Sequence, residues 1–197
     1  MASTWKTPVL SWLRTISRDR QKAAELYGSV VTQARDPAFY AGCGIKDTPE
    51  DRYELVILHL SLVLERLRAE GTAGTELSRR LIEAFVTDMD DNMREMGVGD
   101  LTVPKKVKRA AAGLYARAGS YRAALAEPDG GLLARRLSSS LPGLLDRDGA
   151  ALGLASDMRD AQHQLAGISM ADLAAGETLF PPAPLANAKC PIEGGSR

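Results

Sequence analysis

The residue types best suited to metal binding or nucleophilic catalysis are scarce in this chain: two histidines, His59 and His163, and two cysteines, Cys43 and Cys190. His59 stands between Leu58 and Leu60 on an apolar stretch. That is the setting of a buried histidine hydrogen-bonded for structural reasons, not of a ligand or a base. His163 lies in the polar stretch Asp160-Ala161-Gln162-His163-Gln164, where exposure is expected. Neither has a sequence neighbour to complete a Cys/His or Glu/His metal set. The cysteines belong to no C-x-x-C pair, so two free thiols in a reducing compartment are expected, with a Cys43–Cys190 bridge as the alternative. G-x-S-x-G, P-loop and G-x-G-x-x-G patterns are missing; Gly97-Val98-Gly99-Asp100 lacks a preceding strand and a later glycine. The expectation is a protein that is not an enzyme, with no catalytic residue, cofactor or metal.

Three groupings in the middle of the chain need a closer test. Asp88, Asp90 and Asn92 copy the first three alternating ligands of a calcium loop. Met93 and Gly99, however, stand where that loop needs its glycine and its glutamate. A helix would also aim alternate residues apart, so a solvated acidic face that includes Asp91 is the plainer reading. Met89, Met93 and Met96 fall at i, i+4 and i+7, on one side of a helix. Core packing explains them plainly; an adaptable apolar surface that receives a transmembrane segment is the sharper reading. Lys105, Lys106, Lys108 and Arg109 crowd the start of the following helix. Cations there oppose the macrodipole, each at a cost of roughly a few tenths of a kcal/mol. Phosphates of lipid or ribosomal RNA, or an acidic partner, would offset that penalty. A charged face paired with Asp88, Asp91 or Glu95 accounts for the cluster equally well.

The elements that carry these groups read as helices. Apolar residues recur with helical period along most of the chain, and strand-like alternation is hard to find. A first helix is expected over about 19–35, broken by Asp36-Pro37. A two-glycine loop follows, with Phe39 and Tyr40 tucked inward. Thr48 or Asp47 caps the next helix, with Pro49 at its first position and Tyr53, Val56, Ile57, Leu60, Val63, Leu64 and Leu67 on its buried face. It is the most apolar helix and should be central. A third helix, capped by Thr75, carries the methionines and stops at Gly97 and Gly99. A fourth begins near Thr102, with Leu114 and Tyr121 in its apolar stripe. Two shorter helices follow near 132–145 and 150–165. The fold class is therefore all-α: about six helices over 19–166, after a leader of residues 1–18 that is amphipathic or disordered. Residues 167–197 should form an extended Pro-rich arm, with Ile168, Met170, Leu173, Leu179 and Phe180 strapped across the helices and a disordered tail.

Lys+Arg and Asp+Glu both number 25, a balance that argues against a protein coating DNA by bulk charge. No apolar run approaches the roughly 20 residues that span a bilayer, and no signal-peptide core forms before Arg14 and Arg18. The leader nonetheless mixes Trp5, Val9, Trp12, Leu13 and Ile16 with Lys6, Arg14 and Arg18, which suits a membrane surface.

Four segments, taken in order, resemble the ubiquinol–cytochrome c chaperone family. They are 24–40 (AELYGSVVTQARDPAFY), 47–60 with its Arg52-Tyr53-Glu54-Leu55 and Leu58-His59-Leu60, the distinctive 88–100 (DMDDNMREMGVGD), and 103–117 from Val103-Pro104-Lys105-Lys106 to Tyr115-Ala116-Arg117. The resemblance covers about 22–145 and, more weakly, the Leu179-Phe180-Pro181-Pro182 stretch. It implies a chaperone for early assembly of ubiquinol–cytochrome c reductase, with newly made cytochrome b as client. For mitochondrial members it implies a small helper protein and the ribosome exit. The short, Ala/Arg-rich chain looks like a bacterial member, working in the cytoplasm against the cytoplasmic face of the inner membrane, where eukaryotic relatives work on the matrix side. Partner-binding residues expected on this basis are Asp88, Met89, Asp91, Met93, Met96, Lys105, Lys106, Lys108 and Arg109. A helical protein binding a small ligand or lipid, and an enzyme whose residues are distant in sequence, remain the competing readings.

Overall fold

Proline and glycine divide this chain into helices. The computed structural model describes residues 7–146, 149–176 and 179–181. Its elements are α1 (Thr7–Ala34), α2 (Pro37–Cys43), α3 (Pro49–Arg68), α4 (Gly71–Glu95), α5 (Val103–Ala126), α6 (Gly131–Ser140), a 3₁₀ turn (Pro142–Asp146), α7 (Ala150–Gly167) and α8 (Met170–Ala175). No strand occurs among the described residues, and the fold is all-α.

Several boundaries differ from the sequence reading, each for a local reason. Helix α1 begins at Thr7 and not near Asp19; Pro8 falls in its first turn, where a missing N–H breaks no helical bond. Residues 1–6, the start of the expected leader, lie outside the described residues. The stretch expected as a loop after Asp36 is the seven-residue helix α2. The Asp36 carboxylate accepts from the Ala38 N–H at 2.9 Å, Pro37 leads the helix, and Gly44 ends it at φ 76°. Helix α4 starts at Gly71, four residues before the expected cap at Thr75, whose hydroxyl instead donates to the Gly71 carbonyl at 2.9 Å. This early start needs Gly74: a Cβ there would lie 1.9 Å from the Leu67 carbonyl oxygen. The Thr48 cap of α3 is as expected, accepting from the Asp51 N–H at 3.2 Å.

Helix α3 is the centre, packed by α1, α4, α5 and α7. Every residue from Glu54 to Val63 is buried, so this helix has no solvent stripe over that span. Its polar side chains turn back on their own backbone: the Ser61 hydroxyl donates to the Ile57 carbonyl at 2.7 Å, and His59 Nδ1 bonds the Leu55 carbonyl at 2.8 Å. A carbonyl only accepts, so Nδ1 carries the proton and Nε2 keeps a buried lone pair without a partner. The ring lies edge-on between Phe39 and Phe180, at 5.3 and 5.1 Å between centroids. Burial pulls the His59 pKa down to about 4, against the smaller upward pull of the Leu55 bond. His59 is thus the structural histidine the sequence suggested, and His163 is exposed.

The described residues after Gly167 pack against the helices. Leu173, Leu179 and Phe180 are buried, with Ile168 and Met170 half-buried against the core. This stretch contains α8 because the prolines begin only at Pro181; Ser169 caps that helix, accepting from the Asp172 N–H at 3.2 Å. The Ser29 hydroxyl and the Gln33 amide of α1 donate to the Gly176 and Pro181 carbonyls. Cys43 is buried, whereas Cys190 and the expected tail fall outside the described residues.

Candidate partner-binding surface

The α4–α5 hairpin brings the expected partner-binding residues to one end of the molecule but gives them different surroundings. Asp88 is half-buried and faces inward: it accepts from the Tyr27 hydroxyl at 2.8 Å, tying α4 to α1. Burial first, and the bond to Asp88 second, push the Tyr27 pKa far above the ordinary phenol value. Asp90 pairs with Arg94, 2.6 Å away, and Arg94 also reaches Asp100 at 2.5 Å across the turn. The Asn92 amide donates to the Asp88 backbone carbonyl at 2.6 Å. The three groups that copy a calcium loop thus go to three different partners. Among the described residues no cluster of three His, Cys, Asp or Glu could hold a metal.

The methionine stripe grades from core to solvent. Met89 packs on the core, Met93 is half-exposed, and Met96 is 67% exposed. Asp91 is exposed, as are Lys105, Lys106, Lys108 and Arg109. None of these five residues makes an ion pair among the described residues, so the internal pairing offered for the basic cluster is not formed there.

Helix α5 is seated by contacts the sequence reading did not pick out. The buried Glu54 carboxylate takes the Tyr121 hydroxyl at 2.8 Å on one oxygen and Arg117 Nε at 2.7 Å on the other. The Arg117 guanidinium lies 5.8 Å from the centre of the Tyr53 ring, and the Tyr53 hydroxyl donates to the Ala110 carbonyl at 3.2 Å. Arg122 bonds Glu65 at 2.5 Å. A glutamate beside the apolar run of α3 was the available signal, since a buried carboxylate needs partners from a neighbouring helix. Leu101, in the turn before α5, is 93% exposed, and Tyr115 on α5 is 60% exposed; neither figured among the expected site residues. No described helix is long and apolar enough to cross a membrane.

A family model described as ubiquinol-cytochrome C chaperone matches residues 41–180, which includes all of this surface. This chain belongs to the ubiquinol–cytochrome c chaperone family. A crystal structure of the Cbp3 homolog from Brucella abortus shares the family fold with this chain, with a TM-score of 0.76 at 33% identity, over 89% of this chain and 97% of that one. The mouse and human proteins named ubiquinol-cytochrome c reductase complex assembly factor 1 are each 26% identical over 112 residues. That alignment takes in 57% of this chain but 38% of either mammalian protein. The Xenopus laevis counterpart is 23% identical over 99 residues, half of each chain. These ubiquinol–cytochrome c chaperone relatives are named as assembly factors.

Proposed function

We propose that this protein is an assembly chaperone for ubiquinol–cytochrome c reductase that binds newly made cytochrome b at the inner membrane surface. The observation that carries the reading is membership of the chaperone family across 41–180, joined to a likeness over 97% of the Cbp3 homolog's structure. The surface at the α4–α5 end supports it. Met93 and Met96 offer adaptable apolar contacts of the kind that accept varied helix faces, and the cations at the start of α5 form no ion pair among the described residues. A chaperone of this kind covers apolar client surface that would otherwise aggregate, and yields it to later subunits. With no nucleotide motif in the chain, release is assigned to competition by those subunits. On this reading Asp88 is a strut that fixes α4, while Asp91, Met93, Met96, Lys105, Lys106, Lys108 and Arg109 meet the partner.

Deletion of the gene, followed by haem spectra of the membranes, tests the proposal. Loss of the cytochrome b signal and of ubiquinol oxidation is expected. Normal levels of both would overturn it.

A further inference from the structure

Helix α5 has six basic residues and no acidic one along its 24 residues. Two of the six are committed, Arg117 to Glu54 and Arg122 to Glu65. The other four, Lys105, Lys106, Lys108 and Arg109, are exposed and unpaired among the described residues. At 100° per residue, Lys105, Lys108 and Arg109 point away from the side that buries Val103 and Leu114. Ala112, Tyr115, Ala116 and Gly119 continue the same outer face, and all are exposed. At the leading end of this face, Leu101 stands almost wholly in water, with Met96 beyond the left-handed Gly97.

We infer that the outer face of α5 and the turn before it form a contact for an anionic lipid surface, with Lys105, Lys108 and Arg109 on the lipid phosphates, Lys106 at the flank of that face, and Leu101 and Met96 entering the headgroup layer. The inference deepens the proposed membrane-surface role and rests on it only for its biological setting. Charge complementarity selects the occupant. Four unpaired cations at a helix N-terminus oppose the macrodipole, and an anionic surface reverses that cost. Leu101 and Met96 are exposed at the turn, and a fluid lipid layer accepts an exposed leucine where a rigid protein surface needs a matching pocket. An exposed tyrosine on the same face, Tyr115, suits the wet boundary of a bilayer. The exposed acids at this end are Asp91 and Glu95 of α4 and Asp100 of the turn; Arg94 bridges Asp90 and Asp100 and cancels one of their two charges, so the four cations of α5 outnumber the acid charge left over.

The test is flotation of the full chain with phosphatidylglycerol/phosphatidylcholine vesicles, phosphatidylcholine vesicles and an unstructured RNA. Binding to the phosphatidylglycerol vesicles, weakened by salt and absent with phosphatidylcholine alone, is expected. Each cation neutralised should lower the partition coefficient about fivefold, so changing all four to glutamine should lower it a hundredfold or more. Leu101→Ser should lower it several-fold. No binding by the unaltered chain, full binding by the fourfold variant, or binding to RNA with none to vesicles would each overturn the lipid assignment. The assay contains no client, so its failure leaves the assembly role standing. Normal haem spectra on deletion would remove that role and leave the lipid contact untouched.

Discussion

Helix α3 and the α4–α5 turn use similar residue types to opposite ends. Along α3 a glutamate, a histidine and a serine are buried, and each turns a polar atom to a partner in the fold: Glu54 to Tyr121 and Arg117, His59 to Leu55, Ser61 to Ile57. At the turn, leucine and methionine face water, and four cations form no ion pair among the described residues. The first region spends its polar chemistry inside the molecule. The second, on the function proposed above, is the part that meets a partner. The lesson is that charge or apolarity alone does not distinguish the two regions; what differs is whether the described fold supplies a partner.

The largest expected break in that comparison is Phe85→Ala. Phe85 is fully buried, with the Tyr27 and Tyr53 rings each 6.3 Å away. Its removal should cost about 4 kcal/mol in denaturant unfolding. A cost under about 1 kcal/mol would place the core elsewhere.

Next is the acid sensitivity of His59. Its pKa is lowered by folding, so the unfolded chain takes up a proton that the folded chain refuses. Stability is therefore fully present above about pH 6.5 and falls as pH drops towards about 4, by about 3 kcal/mol in total. Unfolding curves at stepped pH should show that loss in the native chain and lack it in His59→Leu. Equal slopes in the two proteins would contradict the buried, unpartnered Nε2.

A smaller effect is expected at the seat of α5. Glu54→Ala removes the acceptor of the Tyr121 hydroxyl, which keeps only its bond with Ser140, while Arg117, 40% exposed, regains water. The net loss should be about 2 kcal/mol. Glu54→Gln should restore part of it by accepting from Tyr121, and no difference between the two would argue against that bond.

The smallest effect belongs to the turn. Changing Lys105 and Lys108 to glutamate removes cations from a helix N-terminus and should raise stability by a few tenths of a kcal/mol per site, on the order of the macrodipole effect. Partner or vesicle binding should fall sharply in the same protein. A drop in melting temperature would mean that the cations serve the fold. The methionines are probed in parallel by changing Met89, Met93 and Met96 to leucine. Lost client capture with an unchanged melting temperature would mark them as contact residues, and lost stability alone would assign them to the core.

Much of the fold was legible because helical period, caps and breakers are local. Asp36-Pro37, the Thr48 cap with Pro49, and the exceptional apolarity of α3 each state their role within a few residues. The misplaced boundaries had non-local or finely balanced causes. Helix α4 can start early only because Gly74 has no Cβ to strike the Leu67 carbonyl, and Asp36 capped a helix where two glycines suggested a loop. The candidate site was legible as residue types but not as roles. Asp88 and Asp91, three residues apart, differ only because Tyr27, distant in sequence, reaches one of them.

By itself the sequence determined helical class, the central place of α3, the lack of a catalytic motif and, through segments 88–100 and 103–117, kinship with the chaperone family. Only the tertiary structure decided which polar groups were already satisfied. Pairings such as Tyr27 with Asp88, Glu54 with Tyr121 and Arg117, and Arg122 with Glu65 depend on the juxtaposition of separate helices. What those pairings leave over, the Lys105–Arg109 cations and the exposed Leu101, is a remainder that no single helix could reveal.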